Sequence, residues 1–132
     1  MSMTRRILLD TNVLIWALND DRALTRRMRA VISSTTASVH LSVVSAWEIA
    51  IKYQSGKLSF DVPVEEVLSR ILDGAIWPVL PVLPAHIPEL LALPMHHRDP
   101  FDRLLIAQAR AEGMALATSD DQIRKYRVSM AW

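Results

Sequence analysis

The feature that most constrains this chain is the way its short apolar runs end. Residues 6–9 (RILL) stop abruptly at Asp10-Thr11-Asn12, and residues 39–42 (VHLS) lead straight into a helical pattern. Residues 114–118 (MALAT) stop just before Ser119-Asp120-Asp121. Short runs that finish in polar residues and alternate with stretches of helical periodicity predict strands of a mostly parallel sheet, with helices on both of its faces. After the first run, Val13, Leu14, Trp16 and Ala17 continue as a helix, with Thr11 or Asn12 expected as its cap. Within 23–32, Leu24, Met28 and Val31 recur at helical intervals while Arg26, Arg27 and Arg29 turn elsewhere. Val43 to Tyr53 predict a helix stopped by Gly56, and Pro63 to Leu72 another, with Pro63 near its start and Gly74 beyond its end.

The second half is punctuated by proline. Six of the seven prolines fall between 78 and 100, so 75–83 (AIWPVLPVL) is at best a short edge strand, followed by stiff, irregular chain with one short helix around 85–92. DPFDRLLIAQARAEG (99–113) is the plainest helix: Asp99 stands at the N-cap, Pro100 at the first helical position, Asp102 at the third in a start resembling a capping box, and Gly113 just past the end. A strand at 114–118, a short helix from Asp120 to Lys125 and a final strand from Val128 to Trp132 complete the reading.

Composition excludes several classes. With 51% hydrophobic and 22% charged residues, 132 residues suffice for one packed core and for no more than one domain, residues 1–132. The absence of cysteine removes disulfide frameworks, thiolate zinc sites and cysteine nucleophiles, and is compatible with a reducing cytosol. No apolar run approaches the roughly 18 residues of a membrane span, and Asp10 interrupts the start where a signal peptide would still be apolar. A cytoplasmic protein without a membrane partner is expected. A net charge of +1 leaves the choice of partner to the distribution of charge.

That distribution is informative. Asp10 follows the first strand, Asp120 the penultimate one, Asp102 lies in the first turn of a helix, and Glu48 lies about one turn into a helix that follows the second strand. In an open α/β sheet, strand ends and the helix starts that follow them collect at the carboxyl edge, where ligands bind. Taken singly, Asp10 reads as a turn residue, Asp102 and Asp120 as caps, and only Glu48, between Trp47 and Ile49, resists an ordinary explanation. Taken together they pose an electrostatic problem, because two like charges about 4 Å apart repel by roughly 4 kcal/mol at an effective dielectric near 20. Converging carboxylates either take up protons or bind a cation, and hard oxygen donors favour magnesium or manganese over zinc.

LLDTNVLIW (8–16), SVVSAWEIAIK (42–52), HRDPFDRLLIAQA (97–109) and LATSDDQI (116–123) resemble, in order and spacing, the four acidic motifs of the PIN-domain ribonucleases, and among these most of all the VapC toxins of toxin–antitoxin modules. The likeness spans nearly the whole chain, including the closing YRVSMAW (126–132). It implies a three-layer α/β/α sandwich on a mostly parallel sheet. It also implies an acidic quartet of Asp10, Glu48, Asp102 and Asp120 that holds magnesium or manganese and hydrolyses RNA phosphodiester bonds through metal-activated water. Asn12, Ser45 and Thr118 match polar positions beside the acids, where they would orient the carboxylates. A cognate VapB-type antitoxin that inserts into a groove near the active site, a homodimer and a larger toxin–antitoxin assembly are further implications.

RNA needs cations at the rim of an acidic site. Arg98 and Arg103 are the chosen candidates for substrate contact, ahead of Lys52, Lys57 and the Arg124, Lys125, Arg127 cluster, any of which also reads as a solvated helix face. His96 and His97 either touch RNA or cap a turn, Asp99 and Asp121 read as capping or solvated neighbours of the motif acids, and the four tryptophans as core or interface. Two other readings stand beside the nuclease. One is a catalytically inactive PIN-like domain that only binds a partner, against which stand the four motif acids. The other is a phospho-accepting receiver domain, which would need an acidic pair after strand one and a lysine after the last strand, neither of which is present.

Overall fold

The computed structural model describes residues 4–132. In chain order the elements are β1 (Arg5–Leu9), α1 (Thr11–Asn19), α2 (Arg26–Ile32), β2 (Ala37–Ser42), α3 (Val43–Gln54), α4 (Val64–Leu72), β3 (Val79–Leu80), α5 (His86–Leu91), α6 (Pro100–Glu112) and β4 (Ala115–Ala117), followed by a 3-10 turn at Ile123–Lys125. The four strands form one parallel sheet in the order β3-β2-β1-β4. β1 pairs on one side with β2, Ile7 opposite Val39, and on the other with β4, Leu8 opposite Leu116.

Alternation along the strands separates two cores. Ile7 and Leu9 of β1 and Ala115 and Ala117 of β4 face a cluster completed by Val13 and Leu14 of α1, Ala46 and Ile49 of α3 and Val64 and Ile71 of α4. Leu8 and Leu116 face the opposite cluster, built from Leu105, Ile106 and Ala109 of α6 with Leu93, Ile123 and Tyr126. Because β1 is covered on both faces, its apolar residues need not alternate with polar ones, which is why RILL reads as a continuous run. This is the expected three-layer α/β/α sandwich.

Several boundaries differ from the expectation. β3 is only two residues long, confined between Pro78 and Pro81, but the Pro78 carbonyl still accepts from the Leu41 amide (3.1 Å). The second helix starts at Arg26 rather than 23, because the Thr25 hydroxyl caps it by accepting from the Met28 amide. The helix expected from Asp120 shrinks to the 3-10 turn, since the Asp120 carboxylate accepts from the Gln122 amide (2.8 Å) and holds the chain in a turn. The final strand reduces to a single parallel bridge between Met130 and Leu116, with hydrogen bonds from Leu116 to the Ser129 carbonyl (2.7 Å) and from Ala131 to the Leu116 carbonyl (2.9 Å). Gly113 does end α6 in the left-handed conformation, at φ 66°.

A buried polar thread ties the proline-rich segment to this frame. Gln108 of α6 is fully buried, accepts from the Ser42 hydroxyl at 2.5 Å and donates to the Pro81 carbonyl at 3.1 Å. Replacing Gln108 by Leu removes the acceptor of the buried Ser42 hydroxyl, which keeps only the Val44 amide, and the donor to the Pro81 carbonyl. We expect a loss of about 2–4 kcal/mol, read as a lower denaturant midpoint; an unchanged midpoint would show that the thread is dispensable.

Candidate active site

The sheet order places the start of β1's flanking connections at the boundary between β1 and β4, where chain leaves the carboxyl edge in opposite directions. Asp10 is the first residue beyond β1. Its amide donates to the Ala117 carbonyl (3.0 Å), prolonging the β1–β4 ladder, and its carboxylate accepts from the Val13 amide (2.7 Å). Asp10 is therefore itself the cap of α1, in place of Thr11 or Asn12. Thr11 is thereby freed to donate its hydroxyl to Ser45 Oγ (2.9 Å), a buried contact that ties α1 to α3. Asn12 is exposed, and its side chain has no hydrogen bond among the described residues.

Glu48 comes from the second turn of α3 and is 2% exposed. Its Oε2 lies 2.5 Å from Lys52 Nζ, one helical turn on, while Oε1 is buried without any hydrogen-bond partner. Asp102 comes from the first turn of α6, and the expected capping box stays open. Asp99 accepts from the amides of Phe101 (2.8 Å) and Asp102 (3.1 Å), but its own amide donates to His97 Nδ1 (3.3 Å), so no donor is left there for Asp102. The Asp102 carboxylate, shorter than the Glu or Gln of a full box, turns instead towards His97. Asp120 comes from the loop after β4, with its amide donating to Thr118 Oγ1 (3.1 Å). Thr118 is itself buried and fixed from the far side, its carbonyl accepting from Trp132 Nε1 (2.8 Å) and Arg124 (3.3 Å).

Among the described residues, the one group of three whose ligand atoms lie within 4.8 Å of one another is His97, Asp102 and Asp120; Asp10 and Glu48 stand outside it and are linked to the other acids through their charges. Burial pushes the Asp10 carboxyl up to about 6 against the lowering effect of hydrogen bonds from the Thr118 side chain and the Val13 amide, with the charges of Asp120 and Glu48 adding to the rise. Burial also pushes Asp102 up to about 7, helped by the charges of Asp99, Glu48 and Asp10 and opposed by His97. Burial works against the Lys52 ammonium, but the bond and charge of Glu48, with the charges of Asp99 and Asp102, outweigh it and hold that pKa above its ordinary value. A carboxylate cluster that drives two of its members towards neutrality is short of positive charge.

His97 is the residue that reading the sequence undervalued. Its Nε2 lies 2.9 Å from Asp102 Oδ2 and 3.4 Å from Asp120 Oδ2, and these three atoms lie within 4.8 Å of one another. Both oxygens sit off the direction of the ring N–H, so the contacts are close without being directed hydrogen bonds. Its main-chain amide donates to Tyr126 Oη (2.8 Å), which also accepts from Arg103 (3.2 Å), and Arg103 donates in turn to the Pro94 carbonyl (2.8 Å). Arg103 is thus a brace of the 94–99 loop as it stands, whereas Arg98 is exposed and without a hydrogen-bond partner among the described residues. The spacing of Glu48 and Lys52 on one helix face was readable from sequence; the approach of His97 to two distant acids was not, because it depends on how that loop folds back.

The structure is an α/β/α sandwich with acidic residues at the carboxyl edge of its parallel sheet. The chain belongs to the PIN domain family, whose sequence profile matches residues 7–128. Among solved structures it is similar to VapBC2 from Rickettsia felis bound to a DNA fragment from their promoter, at a TM-score of 0.65 and 16% identity over 95% of this chain and 96% of that one. No curated protein matches the sequence.

The raised acids make a thermodynamic prediction for the metal-free protein. A carboxyl held at about 6 when folded and near 3.8 when unfolded contributes stability that is complete below pH 3.8 and disappears as pH rises through 6. In chelator, Asp10→Asn, which keeps the cap, should gain on the wild type between pH 4 and 7 by about 3 kcal/mol. Parallel stability curves for the two proteins would show that Asp10 is not strained by its surroundings.

Proposed function

We propose that this chain is a metal-dependent endoribonuclease, a single PIN domain that serves as the toxin of a VapBC-type toxin–antitoxin pair. The observation that carries the reading is the acidic edge of the sheet: Asp102 and Asp120 within ligand reach of each other, Asp10 and Glu48 near enough for their charges to act on them, and Glu48 Oε1 buried and unpartnered. Oxygen donors in that number fit magnesium or manganese. When bound, such an ion supplies Lewis acidity towards the phosphoryl oxygens and a nucleophile competent at neutral pH.

The chain's own residues do the rest. The Val13 amide holds the Asp10 carboxylate and Lys52 holds Glu48 by Oε2, which would leave Oε1 as a donor to such an ion. Asp102 and Asp120 offer their Oδ2 atoms. Asp120, with a side chain 31% exposed against 3% for Glu48, is the acid best placed to orient and deprotonate the attacking water. Ser45 and Thr11 brace α1 against α3 behind the site. Arg98, at the rim beside Asp99, is free to meet a backbone phosphate, and the exposed Arg127 and Lys125 extend the cationic margin.

Partnering with a VapB-type antitoxin is supported by the likeness to VapBC2 and by a cleft of about 480 Å³ between α1 and α4, lined by Leu18, Phe60, Val62, Val67 and Arg70. Apolar side chains left exposed on α3 and α5, Trp47, Ile51, Ile87 and Leu91, offer area for a homodimer.

The test is to incubate the purified chain with a pool of cellular RNAs, with magnesium or manganese against chelator, and to map the cut ends. We expect cleavage at defined positions that chelator abolishes. Asp10→Asn and Asp102→Asn should each lower the rate by more than about a hundredfold with the fold retained, since even residues behind a metal ligand are typically worth 10- to 100-fold. An active, well-folded Asp10→Asn protein would overturn the proposal, and a wild type that cuts nothing under any metal would favour a binding domain.

A further inference from the structure

We propose that His97 is an internal occupant of the acidic nest, a proton donor seated against Asp102 and Asp120 that a divalent cation must displace before it can take their Oδ2 atoms. This rests on the metal-dependent reading above and adds a residue to it.

The side chain lies where a ligand would, and the simplest alternative is that it is one: a nitrogen joining two carboxylates. The main chain argues otherwise. The Asp99 amide donates to His97 Nδ1 at 3.3 Å, so Nδ1 must present its lone pair. The ring is then neutral with its proton on Nε2, and a protonated nitrogen cannot coordinate a metal. That N–H stands against the Asp102 and Asp120 oxygens at 2.9 and 3.4 Å without a directed hydrogen bond to either. A cation drawn to those same oxygens meets an N–H already in place.

The anchoring of the residue suits displacement. Its backbone is held by Tyr126 Oη, which is held in turn by Arg103, while the ring keeps only the long contact from Asp99 and two misaligned contacts to the acids. The side chain is 19% exposed, so the ring borders solvent and can turn outward without moving the loop. Glu48 shows the contrasting arrangement: Lys52 holds Oε2 and leaves Oε1 open, so nothing need move for that oxygen to bind. His97 is thus a positioning residue that keeps two carboxylates spaced and compensated in the metal-free protein and yields them when the ion arrives.

Magnesium binding to the intact chain, measured by calorimetry, tests this together with the imidazole nitrogen spectrum. His97→Ala should bind magnesium about tenfold more tightly than wild type, since the ring in close contact with both acids no longer competes with the ion for their oxygens. His97→Gln, whose amide nitrogen falls where Nε2 lies, should stay within about threefold of wild type. In the wild type, Nε2 should remain protonated in saturating magnesium while the ring CH signals shift as it leaves. Weaker binding by His97→Ala, or loss of the Nε2 proton on adding metal, would make His97 a ligand and overturn the proposal. Unchanged affinity in both variants would make it a bystander, with the same consequence. Should His97→Ala fail to fold, His97→Gln and the wild-type spectrum still decide. A wild type that binds no magnesium would instead bring down the metal reading itself, a result separate from any ordering among the variants.

Discussion

The parallel pairing of β1 with β4 is the constraint on which the rest depends. It sets Asp10 and Thr118 level at the end of two adjacent strands, with the Asp10 amide bonded to the last carbonyl of β4. Without that step in the ladder, neither Asp10 nor the loop carrying Asp120 has a fixed position. The pairing is secured from both faces of the sheet, since Ile7 and Leu9 point into one core and Leu8 and Leu116 into the other. Hydrophobic burial thus does electrostatic work: the packed frame takes Asp10 and Asp102 out of water, which is the main reason their carboxyls stand above the ordinary range, with neighbouring acids adding to the rise.

The nest is not left bare. The Val13 amide bonds the Asp10 carboxylate, Lys52 takes one oxygen of Glu48, and His97 stands against the Oδ2 atoms of Asp102 and Asp120. The Asp99 carboxylate, by contrast, is spent on the first two amides of α6 and acts on the site only through its charge. Adjacent acids in one motif therefore divide the labour, one shaping the helix start and the other turned into the site.

How much of this was legible in the sequence depends on range. The strands, the six helices and the Asp99-Pro100 start of α6 follow from periodicity and capping, which are local. The expectation that Asp10, Glu48, Asp102 and Asp120 would meet came from one general rule about sheet edges, and the resemblance of the four motifs named the same residues; the structure brings Asp102 and Asp120 together at His97. What escaped were competitions for a single donor. Asp10 outbids Thr11 and Asn12 for the cap because its carboxylate reaches the Val13 amide, and Asp102 loses the capping box because the Asp99 amide is already engaged by His97. Such outcomes turn on geometry of about an ångström, which spacing along the chain does not encode.

Arg103 illustrates how a role read from charge changes with its surroundings. As a cation next to Asp102 it matched a phosphate contact, but its guanidinium joins Pro94 and Tyr126, and Tyr126 holds the His97 amide. In the structure that positive charge is engaged by the loop. The same 94–99 segment carries the exposed Arg98 and seats His97 against Asp102 and Asp120, so the proline-rich stretch, the least regular part of the chain, takes a direct part in shaping the site.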